Sequence, residues 1–383
     1  MDVKIKILIA SVLKPADDVR SCYKIGQTLA QTNKYEVNII GFDSKKKVEI
    51  KNIFLYPLFK FKRNSIKRLF APIIVFKKYL QLKPQLIIVN TPELLWVIYL
   101  IKILFGTKTL YDIRENYRYN IKQNQIYSGI TKSISLFYLK LFERLTKYFI
   151  DGFFVAEEVY LNDLNFIHKK PYIRLLNKTV VPQWGKNNPI KFTSNQDLKF
   201  IYSGTIGEEY GTIDAINFCK KLYASNSKIT LTIIGYSSDN LYLELVKNKI
   251  NQVKYIRLIT EDKPIPQSEI IDEIRNSDIA LLPYQLNPNL SGRFPTKIYD
   301  YLALGIPMVI PPHNHWKAYL DQYNAGLCLN YKNPEIKKFN QELSSSTFYK
   351  TYPMEEIQWK SQEQNMLEFI NNIISKNIFR HTI

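Results

Sequence analysis

Short apolar runs alternate with longer amphipathic stretches along most of the chain, and the alternation predicts its architecture. In the first half, runs of strand character fall at 4–10, 36–41, 86–90, 108–111, 153–156 and 179–181. Between them apolar residues recur at helical spacing near 19–31, 65–82, 92–105, 128–150 and 158–166. The stretch Pro182 to Asp197, PQWGKNNPIKFTSNQD, breaks the pattern with prolines, a glycine and asparagines, which is linker chemistry. Beyond it the alternation resumes, with strands at 199–203, 229–235, 253–258, 279–282 and 308–310. Helices are predicted there over 211–224, 240–249, 267–276, 295–304 and 315–323. Alternation of this kind builds mostly parallel, doubly wound sheets.

The expected fold is therefore α/β, with two Rossmann-like domains at 1–182 and 198–352 joined by a linker at 183–197. A chain of 383 residues is long enough for both. With 46% hydrophobic residues it can fill two cores, which excludes wholesale disorder. Lys and Arg number 53 against 34 Asp and Glu, a formal charge of +19 that points to an anionic partner. The cysteines, Cys22, Cys219 and Cys328, are far apart, odd in number and without zinc or redox spacing, which fits a reducing compartment. The N-terminal apolar stretch, Ile5 to Ala10, is short and reads as a first strand, so the expected location is cytoplasmic. The longest apolar run, Leu94 to Phe105, falls short of the roughly 20 residues a spanning helix needs and reads as a buried helix.

Open parallel sheets bind ligands beyond the carboxyl ends of their strands. Were the two domains to face each other, the loops at 11–18, 91–93, 112–116, 204–210, 236–239 and 283–295 would line one cleft. In FIYSGTIGEEYG, Gly204, Gly207 and Gly211 stand between a strand and a helix, where missing side chains let backbone N–H groups approach a phosphate. In NLSGRFPTKIYDYLALGIPMVI, Pro295 suits a first helical turn. Arg293 then sits at the helix mouth, and Lys297 and Asp300 lie three apart on one face. Two cations and a helix dipole suit a diphosphate, and the carboxylate suits ribose hydroxyls; the plainer alternative is a surface Lys–Asp pair.

These residues carry a resemblance. PTKIYDYLALGIPMVI resembles the PTK(L/I)(Y/F)EY(L/M)AxGxPVI segment of GT-B glycosyltransferases of family 4. YDIRENY, Tyr111 to Tyr117, is similar to the YDxHE(D/N)Y segment of bacterial members, and Lys14 to Ala30 resembles their first loop and helix. The resemblance implies GT-B architecture, with a C-terminal helix at 353–383 returning toward the first domain. It also implies transfer of a sugar, with retention, from a nucleoside-diphosphate sugar to an acceptor hydroxyl in bacterial surface polysaccharide or glycolipid assembly. Gly204, Thr205, Gly207, Tyr284, Arg293, Thr296, Lys297 and Asp300 are the expected donor contacts, with Arg293 and Lys297 stabilising the leaving group. Asp18, Asp112 and Glu115 are the candidates for a base or for acceptor contacts. Asp18 reads equally as a helix N-cap, and Glu115 equally as an ion-pair partner of Arg114 or Arg118. The chain departs from the family in placing Gly292 and Asp300 where a glutamate pair is usual, and Arg114 where the family has histidine.

No Asp-x-Asp pair occurs, so no metal and no permanently bound cofactor are expected; His313 and His315 read as caps rather than ligands. From Ile50 to Pro92 there is no Asp or Glu, while nine Lys and Arg fall inside, interleaved with apolar residues. That combination suits anionic lipid headgroups, so 60–83 is a candidate membrane-facing segment and the acceptor a glycan or lipid-linked sugar. The rivals are an epimerase of the same fold, a non-catalytic paralogue, or a nucleic-acid-binding protein. The chain shows no RNP, KH or zinc-finger pattern, and no nucleic-acid partner is expected.

Overall fold

The computed structural model describes residues 3–375 except 44–48, 62–64, 124–128, 182–188, 194–195, 262–264, 287–291 and 353–354. Much of the linker, Lys62 and Arg63 of the basic segment, and Asn289 to Ser291 before the helix mouth thus lie outside the described residues. The chain divides into two compact units, Met1–Val180 with Trp359–Ile383, and Val181–Gln358.

Unit 1 holds seven strands: β1 (Ile5–Pro15), β2 (Tyr35–Phe42), β3 (Ile53–Phe59), β4 (Leu86–Val89), β5 (Lys108–Ile113), β6 (Gly152–Val155) and β7 (Tyr172–Arg174). They form one sheet in the order β3-β2-β1-β4-β5-β6-β7, every pair parallel. The helices are α1 (Gln27–Gln31), α2 (Ala71–Leu82), α3 (Leu95–Phe105), α4 (Tyr117–Gln123), α5 (Gly129–Phe149) and α6 (Val159–Asp163). Central strands such as β4, LIIV, are buried on both faces, which is why they read as unbroken apolar runs. On one face α2, α3 and α5 pack side by side: the Phe105 ring meets Phe76 and Tyr79, and Tyr99 meets Phe149 at 5.4 Å. On the other, the segment Val19–Gln31 packs with Trp359, Met366 and Ile370.

Unit 2 begins with β8 (Ile190–Lys191), inside the stretch assigned to the linker, which pairs antiparallel with β15 (Thr347–Phe348). Its main sheet contains β9 (Leu198–Thr205), β10 (Ile229–Tyr236), β11 (Ile256–Thr260), β12 (Ile279–Leu281), β13 (Met308–Ile310) and β14 (Gly326–Cys328). The order is β11-β10-β9-β12-β13-β14, again all parallel. The helices are α7 (Thr212–Ser225), α8 (Asn240–Ile250), α9 (Gln267–Arg275), α10 (Thr296–Leu304), α11 (Asn314–Asp321) and α12 (Ile336–Ser345). The last helix, α13 (Glu363–Ser375), belongs to unit 1. Helix α10 stops at Gly305, whose left-handed φ of 64° lets Ile306 N–H reach back to the Tyr301 carbonyl at 2.9 Å.

Several elements differ from expectation. β3, β7, β14, α4 and α12 were not anticipated, and 179–181 is not a strand; the Thr179 carbonyl only accepts from Trp359 N–H at 2.7 Å. The helix expected over 19–31 opens as wide π-type turns over Val19–Gly26 before α1. Helix α10 starts at Thr296, with Pro295 as the residue before its first turn.

Candidate functional site

In each sheet the chain reverses its winding direction at the first strand, β1 beside β4 in unit 1 and β9 beside β12 in unit 2. Ligand crevices form outside the carboxyl ends of strands at such points.

At the unit 2 crossing, Gly204, next to last in β9, has φ 128°, a conformation side chains rarely adopt. A Cβ placed there would meet one group, the Lys297 Cε at 3.8 Å, so the lysine stem lies across this glycine. Lys297 Nζ stands 3.5 Å from Asp300 Oδ2, and Asp300 is 8% exposed, so the pair is not a solvated surface contact. A hydrogen bond of 2.8 Å between Ser203 Oγ and Tyr301 Oη fixes α10 against β9 and thereby sets the lysine over the loop. Arg293 is half-buried, and its carbonyl accepts from Trp316 Nε1 at 2.8 Å. The Trp316 ring in turn stands edge-on to Tyr284 at 6.1 Å, and Tyr284 edge-on to Tyr210 at 5.3 Å. Burial, reinforced by Tyr301 and Tyr210, pushes the Tyr284 phenol well up, so it acts as a neutral hydroxyl. The structure thus brings Gly204, Lys297 and Asp300 together, and links Arg293 through Trp316 to Tyr284.

The other glycines serve the loop itself. Gly207 N–H donates to Thr212 Oγ1 at 3.3 Å. Gly211, at φ 67°, has no room for a Cβ, which would lie 1.9 Å from the Pro283 carbonyl oxygen. It permits a close approach of two loops. Thr205 and Thr296 are exposed beside them. His313 caps α11, its Nδ1 accepting from Trp316 N–H at 3.2 Å, with its ring stacked on Trp316 at 4.3 Å. Among the described residues no three His, Cys, Asp or Glu side chains gather as a metal site would require.

Unit 1 has a different crossing. Asp112, at 0% exposure, is bound by Arg20 through Nε at 3.1 and 3.0 Å and Nη2 at 2.7 Å, and by Arg114 Nε at 2.6 Å. Arg114 also reaches Asp18 at 2.7 Å through Nη1 and Ser21 Oγ at 2.9 Å through Nη2. Asp18 caps the following helix by accepting from Ser21 N–H at 3.1 Å. Burial works to raise both acids, but Arg20 and Arg114 at Asp112, and Arg114 and Lys14 at Asp18, outweigh it and hold both carboxyls below their ordinary range. Glu115 pairs with neither arginine expected of it; it accepts from Asn120 Nδ2 at 2.8 Å, while Arg118 pairs with Glu143. Arg20 went unnoticed in the sequence, since a lone arginine in a first helix gives no signal of a partner 92 positions away. Asn90 went unnoticed too, whereas Ser11 and Thr91 open the loops at 11–18 and 91–93 expected to line a cleft. All three are buried where β1 runs on past the end of neighbouring β4, and each has a polar side-chain atom with no protein partner.

Residues 186–344 match the family model of glycosyl transferases group 1. The sucrose-phosphate synthase of Thermosynechococcus elongatus superposes with a TM-score of 0.70 at 14% identity, covering 98% of this chain and 100% of that one. A UDP-forming trehalose-phosphate synthase from Burkholderia xenovorans gives 0.65 at 9% identity, with 97% and 100% covered. Anabaena HepE in complex with UDP-glucose gives 0.61 at 12%, with 96% and 100% covered. No curated protein matches the sequence. The chain is a glycosyltransferase of GT-B fold with two Rossmann-like units. The family match falls within its second unit.

Proposed function

We propose that the protein transfers a sugar, with retention of configuration, from a nucleoside-diphosphate sugar to a hydroxyl of a glycan or lipid-linked acceptor. The process would be assembly of a bacterial surface polysaccharide or glycolipid, beside an anionic membrane met by the basic segment 60–83. The observation that carries the reading is Lys297 lying across Gly204 at the unit 2 crossing, with Asp300 beside it. A diphosphate at Gly204 would meet the Lys297 ammonium, the Arg293 guanidinium and the first turn of α10, all stabilising the charge that develops on the leaving group. Asp300 would accept from ribose hydroxyls, and the neutral Tyr284 phenol would border the nucleotide. A front-face retaining reaction needs this stabilisation more than it needs a base. The ion-paired Asp18 and Asp112 suit positioning better than proton abstraction. Ser11, Asn90 and Thr91 offer neutral hydrogen-bonding groups of the kind that match sugar hydroxyls. That Anabaena HepE is recorded with UDP-glucose supports a nucleotide donor.

The test is a thermal-shift panel of nucleoside diphosphates and nucleotide sugars on wild type and Lys297→Ala. A ligand at 100 times its Kd stabilises by about 2.7 kcal/mol. One base should shift the wild type and shift Lys297→Ala much less. In turnover, the variant should lose on the order of 10²-fold or more in kcat. A panel with no shift in the wild type overturns the donor site.

A further inference from the structure

Among the described residues, the outer side of the α2–α3–α5 layer of unit 1 exposes many large apolar side chains. On α5, Ile130, Ile134, Phe137 and Leu141 fall at steps of four, three and four residues and make a single helical stripe, and they point to solvent, with Phe137 70% and Ile134 61% exposed. The inward stripe of the same helix, Leu139 and Phe149, already fills the core. The turn entering α2 exposes Leu69 (66%) and Phe70, and the end of α3 exposes Ile103 (61%) and Leu104. Of the twenty large apolar side chains exposed among the described residues, thirteen belong to this layer. The layer on the opposite face of the same sheet, Val19–Gln31 with α13, contributes none. One face of one sheet is thus built for solvent and the other is not.

Charge follows the same division. Unit 1 carries 34 Lys and Arg against 16 Asp and Glu, a formal +18, while unit 2 carries 19 against 18, a formal +1. Within 66–82, 92–105 and 129–149 there are nine basic residues and two acidic ones. Those two, Glu93 and Glu143, are already ion-paired with Arg68 and Arg118. Lys67, Lys77, Lys140 and Arg144 are exposed among the apolar side chains. No helix among the described residues is long and apolar enough to cross a membrane.

We propose that this face rests on an anionic lipid bilayer, its apolar stripes entering the headgroup boundary and its lysines and arginines meeting lipid phosphates. A second copy of the chain is a poor occupant, because the same face would bring cations against cations. Apolar stripes flanked by Lys and Arg, with nothing long enough to span, describe a protein lying in the interface plane. The proposal deepens the lipid-linked acceptor reading, and its test is separate from that of the donor site.

The experiment is vesicle co-sedimentation of the full chain with phosphatidylcholine alone and with phosphatidylcholine mixed with phosphatidylglycerol. It is run at low and high salt, on wild type, on Ile134→Ser/Phe137→Ser and on Lys77→Glu/Lys140→Glu. All substituted side chains are solvent-exposed, so melting curves should match wild type. Wild type should sediment with the mixed vesicles and release at high salt. The apolar double variant should lose about tenfold or more in partitioning. The charge-reversed one should lose about tenfold and most of its salt dependence. Each variant should keep the wild-type nucleoside-diphosphate shift, so failure of the donor reading and failure of this one are told apart. Equal or absent binding to the two vesicle types overturns the proposal, as does binding that neither variant changes. A concentration-dependent dimer in sedimentation equilibrium, abolished by the same substitutions, overturns it in favour of self-association.

Discussion

At the unit 2 crossing, between β9 and β12, two loops touch backbone to backbone through Gly211 and Pro283, and Lys297 lies over Gly204. At the unit 1 crossing, between β1 and β4, side chains tie the segment after β1 to the end of β5 on the far side of β4, Asp18 and Arg20 to Arg114 and Asp112. The same winding order is thus finished in two chemistries. The first leaves a lysine lying over backbone, with one carboxylate beside it. The second spends its charges on each other and leaves neutral polar atoms of Ser11, Asn90 and Thr91 without protein partners. The family match covers 186–344 and so falls on the first of these.

The largest break in this contrast should come from Gly235→Ala. A Cβ there would sit 1.7 Å from the Gly204 carbonyl oxygen, backbone against backbone, with no side chain able to yield. Unit 2 should fail to fold, read as loss of its cooperative transition in denaturant while unit 1 keeps its own. Next is Arg20→Met, which strips Asp112 of its bidentate partner and leaves a fully buried carboxylate to Arg114 alone. Removing one member of a buried ionic network costs about 3 to 5 kcal/mol. Urea midpoints should show that loss in unit 1 with unit 2 unchanged. A loss under about 1 kcal/mol would mean the network contributes little.

A smaller effect is expected of Glu143. Burial raises its carboxyl to about 7 against the opposing pull of Arg118. A folded-state value above the unfolded one means the native state holds the proton more tightly. Its contribution to stability is therefore full below the ordinary glutamate range and lost as pH rises toward about 7. Glu143→Gln should flatten that slope, gaining about 3 kcal/mol over wild type at pH 8 and nothing at pH 4. Melting temperatures across that range check it, and parallel curves for the two proteins would refute it.

How much of this was legible follows from how far apart the partners are. Central strands declare themselves because burial on both faces leaves unbroken apolar runs such as LIIV. β3 does not: it is an edge strand containing Pro57, with an irregular exposure pattern and a register shift against β2. β14, three residues long, is below the length at which any period can be counted. The Lys297–Asp300 pair was readable because three positions on a helix place side chains together. That Lys297 lies on Gly204, and Arg20 on Asp112, are contacts across most of a unit that only the folded sheet creates. The close approach of Gly211 to the Pro283 carbonyl is another contact that the sequence does not declare, since the two lie in different loops.

The tryptophans give each unit an optical signature of its own. Trp316 is wholly buried in unit 2 and touches Tyr284 and the Arg293 carbonyl, while Trp359 is buried in unit 1, its Nε1 donating to Thr28 Oγ1 at 2.9 Å. Emission from Trp316 should respond when a nucleotide settles beside Tyr284, and emission from Trp359 should not. With Trp96, Trp184 and Trp359 all replaced by Phe, the remaining Trp316 would turn intrinsic fluorescence into a label-free titration of unit 2, needing neither a tagged ligand nor a coupled assay.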